Sequence, residues 1–230
     1  MKKLGKILIA VILIAAAGFF LYRELTKKPP IDELESYRQS IVADPKVGSG
    51  LDLTEEQKNN YLQQFKKAKE EVLKANLDTL QGLNEIAQLK RILGDIEGAI
   101  TAWEYANIIR PQNSLSFANL AALYHYDLKQ YDKAEKNYLI SISNDPDDMP
   151  TIRNFFEFYF YSLKDNAKAE ALLLESIEPN KENPDIYALT GSFYADTGNV
   201  QKAIEFYKKS LELNPGNQAV RQEIQRLEKL

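Results

Sequence analysis

Hydrophobic patterning changes three times along the chain. An unbroken apolar run extends from Ile7 to Tyr22, with Lys2, Lys3 and Lys6 before it and Arg23, Lys27 and Lys28 after it. Beyond residue 29, Ile31, Leu34, Tyr37 and Ile41 recur at helical spacing, and a loop follows through Asp44, Pro45, Gly48 and Gly50. Thr54 then opens another helix, with Gln57 placed for a capping box and Tyr61, Phe65, Ala68 and Val72 on one face as far as Asn76. From residue 80 to residue 217 the pattern becomes periodic, in pairs of amphipathic helical segments broken by Gly, Asp and Pro turns. Residues 218–230 are polar except for Val220, Ile224 and Leu227 on one side, which predicts a capping helix.

The opening run raises the question of a membrane. From Ile7 to Tyr22 a helix rises about 24 Å, and about 28 Å with Leu4 to Lys6 included, against a hydrocarbon core of about 30 Å. Ala15, Ala16 and Ala17 could supply the cleavage site of a secretory signal, but Phe19, Phe20, Leu21 and Tyr22 prolong the run past them. Residues 1–28 are therefore read as an uncleaved single-pass anchor, with a cleaved signal as the competing reading. The flanking cations balance, so charge hardly orients the span. The short N-terminal tail favours N-in, C-out, which puts the rest of the chain outside the cytoplasm. Residues 29–53 read as a stalk with a short helix and a loop, and residues 54–79 as a packing helix.

The periodic region repeats one motif. "GAITAWEYANIIRP" (Gly98 to Pro111), "KAEKNYLISISNDP" (Lys133 to Pro146) and "KAIEFYKKSLELNP" (Lys202 to Pro215) share Ala, an aromatic, a small residue and Pro in one phase. Ala99, Ala134, Ala169 and Ala203 are 35, 35 and 34 residues apart. The same walk gives Trp103, Tyr138, Leu173 and Tyr207, then Ala106, Ser141, Ser176 and Ser210. Preceding helices align as Leu83, Ile86, Ala87, Lys90; Phe117, Leu120, Ala121, Tyr124; Ile152, Phe155, Phe156, Tyr159; and Tyr187, Thr190, Gly191, Tyr194.

These motifs resemble the tetratricopeptide repeat (TPR), with units at residues 80–113, 114–148, 149–183 and 184–217. The resemblance implies an all-α fold, a TPR-type helical-hairpin solenoid preceded by an N-terminal transmembrane helix, as in the membrane-anchored bacterial members of the family. A lone hairpin cannot bury its apolar face, so neighbours stack and share a core. Several positions depart from the pattern. Lys90 sits in an aromatic slot, which predicts a first hairpin that is partly open and covered by the helix from Thr54. Phe156 replaces the usual Gly or Ala, so that either the helices stand apart there or a small neighbour compensates. The third unit has Pro179 two residues early, and the turns of the second and third units each carry one extra residue.

One stretch tests the alignment. "NFFEFYFY", Asn154 to Tyr161, packs six rings into eight residues, and local propensity alone would make it a strand. A shift of 35 residues instead lays Leu120, Ala121 and Tyr124 onto Phe155, Phe156 and Tyr159, which predicts a helix with half of its rings in the core.

The resemblance further implies that the first helix of each pair lines a concave surface. The candidate protein-binding groove then comprises Asn84, Gln88 and Arg91; Asn119, Ala122, His125 and Tyr126; Arg153, Asn154, Glu157, Phe160 and Tyr161; and Ala188, Ser192 and Asp196. His125 and Tyr126 precede Phe160 and Tyr161 by 35 residues, so two units offer matched ring pairs. Those rings either thicken the core around the longer turns or form an aromatic shelf for a peptide. Family members that hold acidic chaperone tails use a clamp of Lys, Arg and Asn. Only Asn119 matches it here, with Asn84, Gln88, Pro150 and Asn154 at the other places, so no carboxylate preference is expected.

Composition narrows the function classes. With 29 basic and 33 acidic residues and a net charge of −4, the chain has no electrostatic footprint for nucleic acid. It contains no cysteine for a disulfide or thiolate site, and His125 is its sole histidine. No nucleophile, phosphate loop or carboxylate pair stands out. The expectation is a protein that is no enzyme and needs no cofactor: a membrane-anchored scaffold or assembly factor of a bacterial cell envelope, binding a protein or peptide. The alternative is an oligomerising structural element, in which the helices of Ile31–Ile41 and Thr54–Asn76 pair between chains into a homo-oligomer.

Overall fold

The computed structural model describes residues 30–229, and the anchor expected over residues 1–28 lies outside the described residues. Among the described residues every regular element is helical, and no helix is long and apolar enough to cross a membrane. The chain divides into two compact units, one ending at Asn144 and the other beginning at Asp145.

Unit 1 contains α1 (Ile31–Val42), α2 (Glu55–Lys74), α3 (Leu80–Ile92), α4 (Ile96–Ile109), α5 (Leu115–Ala122) and α6 (Tyr131–Asn144). The capping box predicted at Thr54 is present: its hydroxyl accepts from Gln57 N at 3.1 Å, and Gln57 Oε1 accepts from Thr54 N at 2.8 Å. Helix α2 packs on α3 and buries Phe65, Ala68 and Val72. Gly82 permits this approach, because a Cβ there would lie 2.6 Å from Val72 Cγ2. Helix α1 is more than a spacer: it packs on α4, with Ile41 fully buried. Tyr37 donates to Glu104 Oε2 at 3.1 Å, while Arg38 donates to Tyr105 Oη at 3.2 Å and to Asn76 Oδ1 at 2.7 Å. Burial raises the pKa of Glu104, against the Tyr37 hydrogen bond and Lys133, which lower it.

Lys90 closes the first hairpin. It is 1% exposed, its Nζ donating to Asp95 Oδ2 and to the Ala43 carbonyl at 3.0 Å each, 5.3 Å from the centre of the Phe65 ring. A buried ammonium is tolerable only when paired and hydrogen-bonded, and both conditions are met. Asp95 also caps α4, accepting from Gly98 N at 3.2 Å. The covering by the Thr54 helix was legible; the closure by an internal ion pair was not. Gly98 makes room for it, since a Cβ there would stand 2.9 Å from Lys90 Cδ and 2.3 Å from Asp95 Oδ2. The other hairpins invert this choice. They hold Lys133, Lys168 and Lys202 at the Gly98 position, each over the ring of Tyr124, Tyr159 or Tyr194 at 5.0, 5.3 and 4.4 Å.

Unit 2 contains α7 (Met149–Glu157), α8 (Asn166–Glu175), α9 (Pro184–Asp196), α10 (Val200–Leu213) and α11 (Gln218–Leu227). Helix α11 buries Val220, Ile224 and Leu227 and packs on α10, as its pattern predicts. Gly191 lets α9 approach α10, since a Cβ there would meet Tyr207 Cδ1 at 2.7 Å. The "NFFEFYFY" stretch is helical, and Phe155, Phe156, Phe158 and Tyr159 are buried. Phe156 is accommodated where Gly191 stands in the next hairpin. The slot filled by Tyr207 there holds the smaller Leu173 here, and the Phe156 ring turns onto Phe160 and Phe193.

The extra residue in two turns has a defined geometry. Helices α5 and α7 each widen into one π-helical turn, Leu123–Asp127 and Phe158–Ser162. Leu128 N bonds to Leu123 O at 3.1 Å, and Leu163 N to Phe158 O at 3.0 Å. Lys129 (φ 54°) and Lys164 (φ 55°) then take left-handed backbone, where the shorter turns place Gly94 and Gly198.

Candidate protein-binding site

In unit 1 the predicted groove residues bond largely to one another. Asn84 is buried, its Nδ2 donating to Leu80 O at 2.9 Å and its Oδ1 accepting from Ser116 Oγ at 3.2 Å and Asn119 Nδ2 at 3.4 Å. Gln88 donates to Asn119 Oδ1 at 3.1 Å. Arg91 reaches Asp127 at 2.6 Å across the hairpins, a half-exposed ion pair that holds the end of the π turn. Asn84, Gln88 and Asn119, the residues at three of the clamp positions, are thus a self-satisfied amide chain.

The ring pair of unit 1 is divided. His125 is 2% exposed, with Nδ1 3.3 Å from the Tyr138 hydroxyl and its ring edge-on to Tyr138 at 6.1 Å. Tyr126 stacks on His125 at 3.9 Å and is 40% exposed. His125 is therefore core, and Tyr126 is the part of the pair that meets water.

In unit 2 the corresponding residues are more open. Phe160 is half-buried, stacked on Phe156 at 5.3 Å and edge-on to Phe193 at 5.6 Å. Tyr161 is 60% exposed and leans edge-on against Phe160 at 4.8 Å. Arg153 is exposed, and Asn154, Glu157 and Ser192 are half-buried; Ser192 is hydrogen-bonded to Tyr207. Partial burial raises the pKa of the Tyr161 hydroxyl, and the carboxylates of Asp196 and Glu157 push it the same way. Asp196, at the C-terminal end of α9, which the sequence places on the groove side, acts on the Tyr161 hydroxyl.

The outer side of unit 2 carries a cluster that the sequence did not disclose. Tyr194 donates to Glu170 Oε1 at 2.6 Å, and Lys202 contacts both, at 3.2 and 3.1 Å. The Tyr194 hydrogen bond is the main cause of the lowered Glu170 pKa, with Lys202 contributing. These groups satisfy each other and lock α8 to the α9–α10 hairpin. Among the described residues no group of His, Asp and Glu is arranged to hold a metal ion.

Comparison with known proteins agrees with this geometry. Residues 184–217, the α9–α10 hairpin with its flanks, match the tetratricopeptide repeat family profile. Over 163 residues the chain is 26% identical to the BBSome complex member BBS4 of Mus musculus, covering 69% of this chain and 31% of that protein. The chain therefore spans about a third of the length of that relative. Among solved structures, MamA is 25% identical with a TM-score of 0.50, covering 63% of this chain and 83% of its own. PilF of Pseudomonas aeruginosa (21% identical, TM-score 0.50) covers 64% of this chain and 67% of its own. A thermophilic TPR protein of Thermus thermophilus (21%, TM-score 0.50) covers 75% and 92%. These likenesses support the TPR-type helical fold that the 35-residue period predicts.

Proposed function

We propose that the chain is a TPR-type interaction scaffold that holds a protein segment against the face of its first helices. The observation that carries this is Tyr161, a ring 60% exposed on that face and backed by Phe160 and Phe156. A large ring already braced by other rings loses little freedom when a partner covers it, which suits it as an anchor for binding. On the first helices of unit 1, Asn84, Gln88, Asn119 and Arg91 are engaged with other residues of the chain. The reading assigns the chain no catalysis and no cofactor.

The apolar run over residues 1–28 supports a second part of the proposal: a single-pass anchor that presents the helical units outside the cytoplasm of a bacterial envelope. Pairing of α1 and α2 between chains is the less favoured reading, because Ile41, Phe65, Ala68 and Val72 are already covered within the chain.

Two experiments test the proposal. A benzophenone amino acid placed at Tyr161 in source cells should crosslink to a discrete partner, whereas one at exposed Ala171, on the second helix α8, should not. Equal crosslinking from both positions sinks the assigned face. For the anchor, the mature protein should retain Met1 to Tyr22 and resist carbonate extraction; a soluble protein beginning just after Ala17 refutes it.

A further inference from the structure

The tips of the first and last hairpins share a backbone and differ in what lies on it. At the α3–α4 tip of unit 1 the chain's own residues 43–51 are in place, non-helical from 44 to 48. Ala43 O accepts from Lys90 Nζ at 3.0 Å, and Gly48 N donates to Leu93 O at 2.8 Å. Backbone passes directly over backbone there: a Cβ on Gly94 would stand 3.0 Å from Gly48 Cα and 3.3 Å from Leu51 Cδ2. Main-chain groups thus hold the segment on the tip, with the exposed pairs Asp44–Lys69 and Lys46–Glu97 at its sides.

The α9–α10 tip of unit 2 repeats this geometry. Thr197, Gly198 and Asn199 stand where Leu93, Gly94 and Asp95 stand in the first hairpin. Asn199 N bonds to Tyr194 O at 2.8 Å, as Asp95 N does to Lys90 O at 2.8 Å, and Gly198 N bonds to Ala195 O at 3.1 Å, as Gly94 N does to Arg91 O at 3.0 Å. The two glycines have nearly the same φ, 81° and 83°. Yet no atom beyond its chain neighbours lies within 4 Å of where a Cβ on Gly198 would be, and among the described residues nothing donates to the Thr197 carbonyl. Beside it a cleft of about 460 Å³ opens between α8, α9 and α10, lined by Ala167, Glu170, Tyr194, Thr197 and Lys202. That volume is in the usual range for ligand clefts.

An ammonium is also in place at both tips. Lys90 is held by Asp95 and gives an N–H to Ala43 O. Lys202 Nζ lies 3.2 Å from Glu170 Oε1 and 3.1 Å from the Tyr194 hydroxyl, and of its three N–H groups one is left to give. The two middle hairpins do not offer the same passage, because Lys129 and Lys164 replace the glycine and put side chains where the backbone crosses.

We propose that the α9–α10 tip is a docking site for a non-helical segment of a partner protein, held as residues 43–51 are held in unit 1. A glycine of the partner crosses Gly198 and gives its N–H to the Thr197 carbonyl, while a carbonyl five residues earlier accepts from Lys202, the separation of Ala43 and Gly48. Recognition is then mainly of the main chain, so a residue without a Cβ at the crossing matters more than the flanking side chains. The chain's own residues 43–51 are already bound in unit 1. This site goes beyond the face of the first helices and does not rest on Tyr161.

The test uses the full chain in detergent and the end-blocked peptide Ala-Ala-Pro-Ala-Val-Gly-Ser-Gly-Leu, which follows residues 43–51 without their charges. Calorimetry should show binding of this peptide, and binding about tenfold or more weaker when its first glycine is replaced by sarcosine, which lacks the N–H, or by valine. Gly198→Asn keeps a residue that tolerates left-handed backbone but adds a Cβ at the crossing, and Lys202→Met removes the ammonium. Each should weaken the glycine peptide about tenfold while the protein keeps a cooperative melt. The sarcosine comparison is made on the unaltered protein, so it stands even where a variant folds poorly. Absence of binding, equal binding of the sarcosine peptide, or affinity indifferent to Gly198→Asn overturns the site. Binding that is lost in Tyr161→Ala but kept in Gly198→Asn puts the peptide on the first-helix face, which overturns the tip site and supports the interaction face.

Discussion

The α5–α6 hairpin of unit 1 and the α7–α8 hairpin of unit 2 use the same backbone for different ends. Each first helix widens into one π turn, passes through a left-handed lysine and closes with a long hydrogen bond, Gln130 N to Tyr124 O or Asp165 N to Tyr159 O, at 2.9 Å in both. Yet His125 is buried, while Phe160 is half-buried beside a Tyr161 that is 60% exposed. The cause lies on the returning helix. Tyr138 of α6 presents a hydroxyl 3.3 Å from His125 Nδ1, whereas α8 offers Leu173 at the same repeat position. A polar ring is drawn inward by a polar partner, whereas the apolar Phe160 ring, without one, sits half-buried over the buried Phe156 and Phe193. An identical π turn therefore makes core in one hairpin and an exposed ring in the other.

The shared core of the two hairpins should give the largest effects. Phe155 and Leu120 occupy equivalent, buried positions, and Phe155→Ala should cost about 3–5 kcal/mol and Leu120→Ala about 2–5 kcal/mol in denaturant unfolding. A cost below about 1 kcal/mol at either would break the equivalence. Next comes the residue on which the divergence turns. Tyr138→Phe should cost about 1–2 kcal/mol, because His125 loses a buried hydrogen-bond partner without a change of shape. No cost at all would mean that something other than the hydroxyl holds His125 inside.

The common backbone predicts a smaller effect, equal in both hairpins. Lys129→Gly and Lys164→Gly should each stabilise by about 0.5–1 kcal/mol, since glycine occupies left-handed backbone without the Cβ clash. Opposite signs at the two sites would show that the turns differ after all. The smallest change in stability is expected at the open ring. Tyr161→Ala should move stability by no more than about 0.5 kcal/mol, as for other surface substitutions, and thermal melts beside the Phe155 variant would expose any hidden core role.

Much of this was legible in the sequence because spacing alone carries it. The alanines at 35, 35 and 34 residues fix the helix phases, and the same shift identified the aromatic stretch as helical and the two turns as one residue longer. The shift could not separate His125 from Phe160. It treats equivalent positions as equal, while the residues that divide them, Tyr138 and Leu173, lie on other helices. Lys90 was visible as an anomaly, but its partners are a side chain five residues on and a carbonyl at Ala43, and no local pattern joins those. Helix α1 read as a spacer because Ile41 is its lone fully buried residue, too weak a signal to announce packing.

The burial of Lys90 also makes its amine a reporter. A soluble acylating reagent cannot reach an ammonium enclosed by Asp95, the Ala43 carbonyl and the Phe65 ring, while exposed lysines such as Lys164 and Lys209 lie open to it. The rate at which Lys90 gains a mass tag therefore counts how often α1 and α2 lift from the first hairpin, a local opening that a global melt does not isolate. With residues 1–28 held in a bilayer, tension on the chain would act first on α1 and quicken that labelling. Lys90 would then serve as a strain gauge next to the proposed tether.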